Sequence, residues 1–302
     1  MKKELLAKYP VIDFLKKLIL YIYCLPLKLD RNDFEEIWRQ KYKKKLIKYI
    51  KFNLIENNTN ISVQKKEYVF VCWLQGYDNA PSIVKKCIDS IEIHMDNEID
   101  DVILITKQNI NQYVEMPEFI LNKWKSGNIS DAHFSDILRV FLLCKYGGTW
   151  IDATVMLFDE IPEYLLNEEL FFFQTSFLQS KNPEISNWFI HSKHPNNPLL
   201  CDLRDALINY WKENKKAPDY YMFHDFVSLL ANSNRYKEYW EHMKYFNNIA
   251  PHTLQKELQN KFDKDRLKEI INMSPIQKLT YKIDDTISSD TFYDYLLGKC
   301  EK

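Results

Sequence analysis

The sequence predicts an α/β fold with a mixed, mainly parallel sheet. Apolar runs typical of buried strands, at 68–74 and 102–106, alternate along the chain with segments of helical periodicity. A third strand is predicted at 149–157, directly after a helix predicted at 131–145. With 302 residues and 46% hydrophobic content, the chain can bury one sizeable core or two modest ones.

The same periodicities predict further elements on both sides of this central helix and strand. They are helices at 80–94, 116–125, 198–213 and 220–232, and strands at 171–175 and 185–192. The strands and helices before residue 157 favour a nucleotide-binding half, and the later helices predict a helical carboxyl-terminal part.

The amino-terminal segment, residues 1–64, is predicted to be helical, basic and apolar. Residues 1–51 hold fourteen Lys or Arg and six Asp or Glu, so their net charge is +8 and the remainder carries −9. The longest uninterrupted apolar run, 18–27, is too short to cross a bilayer, and no signal-peptide cleavage site accompanies it. Two interpretations stay open: a helix in the membrane interface, or a helix packed on the protein itself. A polar break at 57–66 precedes the α/β domain, residues 65–302.

Composition narrows the class of protein. The six cysteines form no C-x-x-C pair, and several lie inside apolar runs, which indicates reduced residues of a cytoplasmic protein. The basic segment suggests an anionic partner surface. No strand-plus-aromatic RNA-binding pattern accompanies it, so we expect no nucleic acid. The membrane-interface interpretation implies peripheral association with the inner face of the cell membrane. The absence of Walker A, GxGxxG, HExxH and nucleophile-elbow motifs argues against ATPases, dehydrogenases, zincins and α/β-hydrolases.

The helix predicted at 131–145 carries a charged face. Ser130 can cap its start, and the single Gly-Gly pair of a chain with five glycines follows its end. Asp136 and Arg139 share a side with apolar residues, so we expect both to be partly buried and to need partners. They either form an i, i+3 pair that holds the helix or grip a polar ligand.

The strand after the glycine pair alternates between two faces. Trp150, Asp152 and Thr154 point one way, and Asp152 is a carboxylate in an otherwise apolar strand. Open α/β sheets bind ligands at the carboxyl ends of their strands. Asp152 is therefore predicted to belong to a site.

The stretch SDILRVFLLCKYGGTWIDATV resembles the central motif of the capsular polysaccharide synthesis proteins. It is more distantly similar to glycosyltransferases with a DXD sugar-binding motif, including yeast-type α-mannosyltransferases and the large clostridial glucosylating toxins. The residues that match S-D-x-x-R and Y-G-G-x-Y/W-x-D-x-D are Ser135, Asp136, Arg139, Tyr146, Gly147, Gly148, Trp150 and Asp152. Thr154 stands where the second acidic residue is expected. The resemblance covers scattered motifs over residues 66–282.

This resemblance implies a GT-A-like domain and a glycosyltransferase of the hexosyltransferase type. Its donor would be a nucleotide-sugar, with a UDP-sugar favoured, and its acceptor a lipid-linked saccharide in capsular or surface polysaccharide synthesis. A divalent metal, Mn²⁺ or Mg²⁺, is expected on Asp152. Because Thr154 is a weak ligand for such a cation, two solutions stay open. Either another acid and water complete the metal site, or Arg139 and Lys282 carry more of the diphosphate charge.

The resemblance also implies roles for individual residues. The implied donor-binding residues are Trp73, which would stack on the base, Gln75, Ser135, Asp136, Arg139, Gly148, Asp152, Thr154 and Lys282. Asn187 and Trp188 would contact the acceptor. Asp152 would be the central catalytic residue, and His224 or Asp225 would act as general base if the reaction inverts configuration. Core packing remains the alternative for Trp73, and a structural role for His224 and Asp225.

Two other functions stay open at this point. The neutral Thr154 favours a non-catalytic carbohydrate-binding or polysaccharide-assembly subunit with a degenerate site. A nucleotide-sugar phosphotransferase would move sugar phosphate rather than sugar.

Overall fold

The structure is a computed structural model of the 302-residue chain. It describes residues 29–52, 67–95, 100–175, 185–283 and 289–299, together with residues 15, 18, 19, 21, 22 and 25–27. The polar break predicted at 57–66 lies outside the described residues, so the domain boundary stays a prediction.

Within the described residues, seven strands form two sheets. The strands are β1 (Glu67–Cys72), β2 (Asp100–Ile105), β3 (Gly148–Asp152), β4 (Val155–Leu157), β5 (Leu170–Gln174), β6 (Ile185–Ser192) and β7 (Ile276–Lys278). The central sheet has the order β2-β1-β3-β6-β5, and β4 pairs with β7 in a second, small sheet.

The strand directions confirm the predicted α/β fold with a mixed, mainly parallel sheet. β1 runs parallel to both β2 and β3. β6 runs antiparallel to β3 and to β5, so β5 points the same way as β3. Four of the five described strands in the central sheet therefore share one direction.

Helices follow the strands along the chain and cover the sheet. They are α1 (Arg31–Leu46), α2 (Ser82–His94), α3 (Ile110–Tyr113), α4 (Glu118–Lys125), α5 (Asp131–Tyr146), α6 (Glu163–Leu166), α7 (Pro198–Glu213), α8 (Met222–Ala231), α9 (Lys237–His242), α10 (Thr253–Glu257), α11 (Lys264–Met273) and α12 (Phe292–Leu296). Short 3₁₀ turns occur at Leu25–Leu27, Ile47–Tyr49, Tyr77–Asn79 and Ala250–His252.

The two faces of the central sheet bury separate cores. Because side chains alternate along a strand, Phe70 and Trp150 face one cluster, which α5, α7 and α8 cover. Val71 and Ile151 face the other cluster, which includes residues of α2, β4 and β7. The sheet is therefore the middle layer of three.

The prediction of one continuous strand at 149–157 is wrong, because two strands occupy this segment. β3 ends at Asp152, Ala153 and Thr154 form a turn, and β4 leaves the central sheet to pair antiparallel with β7. Ile151, Ala153 and Val155 all lie in the second core, so the alternation of side chains between the two sides continues through the turn. Asp152 consequently lies at the carboxyl end of a parallel strand, where ligands bind in such sheets.

The glycine pair is required by close backbone contacts. Gly148 has φ of +81°, and a Cβ added there would lie 2.2 Å from the carbonyl oxygen of Tyr68 in β1. Gly147 has φ of +67°, and a Cβ would lie 2.9 Å from the carbonyl carbon of His194. Glycine thus lets α5 end and β3 begin directly beside β1.

Helix α1 packs on the α/β body. Phe34, Trp38 and Leu46 are buried, and Arg39 Nε donates a hydrogen bond of 3.0 Å to Asp225 Oδ1 on α8. Helix α1 lies after the apolar run at 18–27, to which the membrane-interface and packed-helix interpretations apply. Most of the apolar stretch before it lies outside the described residues, so membrane association stays a prediction. No helix within the described ranges has the length and apolar character needed to cross a membrane.

Candidate functional site

Asp152 meets three polar side chains at the end of β3. Trp150 Nε1, two residues earlier on the same strand face, donates a hydrogen bond of 3.0 Å to Asp152 Oδ1. Arg139 Nη2 lies 3.7 Å from Oδ1, and Lys278 Nζ lies 3.3 Å from Oδ2. The Asp152 side chain is 27% exposed. A solvent-accessible carboxylate is thus held between two cations.

Arg139 is buried and has partners on several sides. Its Nε donates to the carbonyl oxygen of Ser135 over 3.2 Å, and Nη2 donates to Ser135 Oγ over 3.1 Å. Nη1 donates to the carbonyl oxygen of Asn187. Nη2 also lies 3.2 Å from Asp136 Oδ1, and the guanidinium carbon lies 4.8 Å from the Trp150 ring centroid. The i, i+3 pair is therefore present, and its guanidinium also reaches the Asp152 end of the sheet.

Asp136 is the second buried carboxylate of this network. Asn187 Nδ2, on β6, donates a hydrogen bond of 2.8 Å to Asp136 Oδ1. His133 Nδ1 lies 3.7 Å from Asp136 Oδ2. His133 was missed in the sequence, although its position three residues before Asp136 places it on the same helix face. The His133 ring lies 6.3 Å from that of the exposed Tyr220.

Trp73 and Gln75 follow β1 at the same edge of the sheet. Cys72 is in register with Asp152, so Trp73 begins one residue beyond the Asp152 level. The Trp73 ring meets Tyr281 edge-on at 5.4 Å, and its buried Nε1 has no hydrogen-bond partner among the described residues. Gln75 is exposed. The structure therefore brings Trp73 and Asp152 to neighbouring strand ends.

Beside Arg139, the cation that contacts Asp152 is Lys278, which the sequence analysis did not name. Lys282 is exposed, and its Nζ lies 5.9 Å from the Tyr281 ring centroid. Lys278 Nζ contacts Asp152 and also donates a hydrogen bond to Thr154 Oγ1. Lys278 lies 124 residues beyond Thr154, and the pairing of β7 with β4 joins them. The segment 275–282 contains both lysines, and its local sequence does not show which of them reaches Asp152.

Asn187 and Trp188 point to opposite faces of β6. Asn187 contacts Asp136 and Arg139, as described above. Trp188 is buried and stacks on Phe173, with centroids 4.6 Å apart and planes 15° from parallel. The structure therefore brings Asn187 to the charged network and places Trp188 in the core of the other sheet face.

The two predicted bases on α8 have different surroundings. Burial raises the pKa of Asp225 to about 6, although the guanidinium of Arg39 opposes that shift. Burial lowers the pKa of His224 to about 4, and its Nδ1 has no hydrogen-bond partner among the described residues. His224 is therefore neutral and only weakly basic at pH 7, while Asp225 is engaged by α1.

The side chains around Asp152 do not fit a divalent cation well. Mn²⁺ and Mg²⁺ prefer several oxygen ligands, especially carboxylates. Here Asp152 supplies the carboxylate, and the neutral Thr154 hydroxyl already accepts a hydrogen bond from Lys278. Across the part of the chain that the structure describes, no three His, Cys, Asp or Glu residues form a group that could hold a metal.

A family model matches most of the chain. The family model described as "Capsular polysaccharide synthesis protein" matches residues 26–296. A curated relative, the O-glycosyltransferase braB of Annulohypoxylon truncatum, is 28% identical over 121 residues. That match covers 36% of this chain and 28% of the relative, so the chain spans under a third of the relative's length.

Two solved structures show low overall similarity to this chain. The PaToxG glycosyltransferase has a TM-score of 0.40 at 14% identity, with 94% of this chain and 89% of that chain covered. The bifunctional glycosyltransferase WbbM has a TM-score of 0.40 at 11% identity, with 82% and 50% covered. At these values, neither structure fixes the place of a residue in this chain.

Proposed function

The chain belongs to the capsular polysaccharide synthesis protein family, and from that we propose that it is a glycosyltransferase with a GT-A-like site. It transfers a sugar from a nucleotide-sugar to a saccharide acceptor during capsular or surface polysaccharide assembly. The observation that carries the proposal is the accessible carboxylate of Asp152, held between Arg139 and Lys278 at the carboxyl end of β3.

The charges of this site suit a nucleotide-sugar. The donor's diphosphate is anionic and gains charge when the sugar leaves, so cations aimed at it stabilise the transition state. Arg139 and Lys278 supply cations, and Asp152 can accept hydrogen bonds from sugar or ribose hydroxyls. Trp73, at the neighbouring strand end, provides an aromatic surface for the base. A UDP-sugar is the favoured donor.

The proposed transfer of the sugar needs no strong base from the protein, because the departing phosphate can take the proton of the acceptor hydroxyl. The bond between the anomeric carbon and the phosphate oxygen breaks, and its electron pair leaves with the nucleoside diphosphate. The acceptor hydroxyl oxygen bonds to that carbon, and its proton passes to the departing phosphate. The pKa of about 4 for His224 and the Arg39–Asp225 ion pair support this route, which retains configuration. Determination of the product's anomeric configuration by NMR tests it, and an inverted product contradicts it.

The acceptor is proposed to be a lipid-linked saccharide at the inner face of the cell membrane. The exposed Lys41, Lys44 and Lys45 of α1 provide positive charge for an anionic surface. Replacing all three by glutamate is expected to reduce co-sedimentation with phosphatidylglycerol vesicles. The exposed Lys237 and Lys268, replaced in the same way, serve as the control. Equal sedimentation of both variants and the wild type contradicts the attachment.

Binding and turnover of nucleotide-sugars test the function directly. Thermal shifts with UDP-glucose, UDP-N-acetylglucosamine and GDP-mannose identify a donor, because a ligand that binds only the folded state raises its stability. Release of UDP or GDP then measures turnover. We expect Asp152→Ala to lose both binding and turnover. A wild type that neither binds nor turns over any nucleotide-sugar contradicts the proposal.

Thr154 supports a second function, a carbohydrate-binding or assembly subunit without activity. Its hydroxyl replaces the second carboxylate that the resemblance leads us to expect. This function predicts that a nucleotide-sugar or saccharide binds without release of nucleotide. Mass analysis of any product also separates sugar transfer from phosphosugar transfer.

A further inference from the structure

We propose that the ammonium of Lys278 takes the place of a divalent cation, so that donor cleavage by this protein needs no metal. This inference rests on the proposed glycosyl transfer and concerns the same site. It begins with a single lysine that contacts both polar positions of the Asp152-Ala153-Thr154 sequence.

Lys278 is held by its backbone in this position. Val155, directly after the turn, is in register with Lys278 across the β4–β7 pair. The next amide, Leu279 N, donates a hydrogen bond of 2.8 Å to the carbonyl oxygen of Thr154. The pairing of β4 with β7 therefore holds Lys278 beside the turn that follows Asp152, so its position does not depend on a loop.

The Lys278 side chain is 18% exposed, so its ammonium is largely withdrawn from water. An ammonium in such a place needs compensating partners. Asp152 Oδ2 at 3.3 Å and the Thr154 hydroxyl supply them.

The lysine and a metal ion would compete for the same carboxylate. A divalent cation on Asp152 would lie about 2 Å from a carboxylate oxygen. The ammonium, 3.3 Å from Oδ2, would then be its neighbour and would repel it. Thr154 offers only a neutral hydroxyl that is already hydrogen-bonded to Lys278. The donor set thus favours the ammonium.

Charge balance leads to the same conclusion. Two carboxylates with a divalent cation sum to zero, and one carboxylate with one ammonium also sums to zero. Replacing the second acid by Thr154 and the metal by Lys278 therefore keeps the local charge. As C–O cleavage sends the electron pair to the diphosphate, Lys278 acts as a point charge on the departing phosphate, beside Arg139.

The first test compares turnover with and without metal. The full-length protein is mixed with UDP-glucose, UDP-N-acetylglucosamine and GDP-mannose, and nucleotide release by hydrolysis, in which water takes the sugar, is measured in EDTA and in MnCl₂. We expect equal rates. We also expect Lys278→Ala to fall about 100-fold or more, the range seen when a preorganised charge-stabilising group is removed. Lys268→Ala, at an exposed lysine of α11, is the matched control and retains wild-type turnover.

A second variant tests the replacement in the opposite direction. Combining Lys278→Ala with Thr154→Asp restores two carboxylates and removes the ammonium. We expect turnover that appears in MnCl₂ and is lost in EDTA. If the double variant regains no metal-dependent turnover while it remains folded by thermal melting, the exchange of lysine for metal is contradicted.

The possible outcomes separate this inference from the proposed function. A wild type that turns over donor but loses at least tenfold in EDTA overturns the inference and leaves the glycosyltransferase standing. Full activity of folded Lys278→Ala also overturns it, because the contact is then structural. A wild type that is inactive in both buffers overturns the proposed function and this inference together. If Lys278→Ala does not fold, the wild-type comparison in EDTA still decides.

Discussion

Replacing Arg139 by methionine is expected to destabilise the protein strongly. The Arg139 side chain is 5% exposed and lies 3.2 Å from the carboxylate of Asp136, whose side chain is 10% exposed. Methionine keeps much of the apolar volume but leaves that carboxylate buried without its cation. Breaking a buried ion pair on one side costs about 3–5 kcal/mol. The guanidinium also loses its contact with the Trp150 ring, worth about 1 kcal/mol.

Urea unfolding at pH 7, followed by circular dichroism, measures this loss. Arg266→Met is the control, because Arg266 pairs with Glu257 and Glu269 near the surface and its loss should cost much less than loss of the buried pair. Adding Asp136→Asn to Arg139→Met removes the unpaired charge and should recover part of the free energy of unfolding. A loss below about 1 kcal/mol in Arg139→Met would show that the network does not depend on this pair.

Three further predictions concern other parts of the network and fold. Burial lowers the pKa of His191 to about 4. As pH drops, His191 is protonated in the unfolded state before it is protonated in the folded state. The free energy of unfolding should therefore fall by about 3 kcal/mol between pH 6.5 and pH 4. Urea titrations should show a smaller fall in His191→Gln. Gly148→Ala should lower the melting temperature far more than Gly127→Ala, since both have positive φ but only the Cβ at Gly148 meets backbone. Asn187→Ala removes a hydrogen bond to a buried carboxylate and should cost about 1–3 kcal/mol in urea unfolding.

Local patterns predicted α5 well. The predicted helix at 131–145 agrees with Asp131–Tyr146, Ser130 caps it by accepting a hydrogen bond from the His133 amide, and Gly147 follows its end. These signals all lie within a few residues of the helix. The charged face also follows from helical spacing, which is why Asp136 and Arg139 could be expected to be buried together.

Long-range pairing decided the features that the sequence did not reveal. β4 separates from β3 because it pairs with β7. That strand lies more than a hundred residues further along the chain. The same pairing brings Lys278, and not Lys282, to Asp152. The residue spacing within one segment does not show which distant strand it pairs with. Neither the end of β3 at Asp152 nor the contact of Lys278 with Asp152 could therefore be predicted from local sequence.

The family resemblance pointed to Asn187, Trp188 and Asp225 but did not predict which side chains surround them. Asn187 contacts the Asp136–Arg139 pair, whereas Trp188, its neighbour in sequence, lies in the opposite core because strand residues alternate. Asp225 is held by Arg39, a residue of the amino-terminal segment that the resemblance did not connect with it. Their roles with donor and acceptor stay predictions.

Nucleotide release by Asp152→Asn tests the central claim most directly. Asparagine has nearly the same shape as aspartate and can still accept the hydrogen bond from Trp150 Nε1, so the fold should be preserved. Removing the charge should leave Lys278 and Arg139 without their shared carboxylate and disturb the donor site. We expect turnover to fall about 100-fold or more in a protein that remains folded by circular dichroism. Wild-type turnover in a folded Asp152→Asn protein would contradict it.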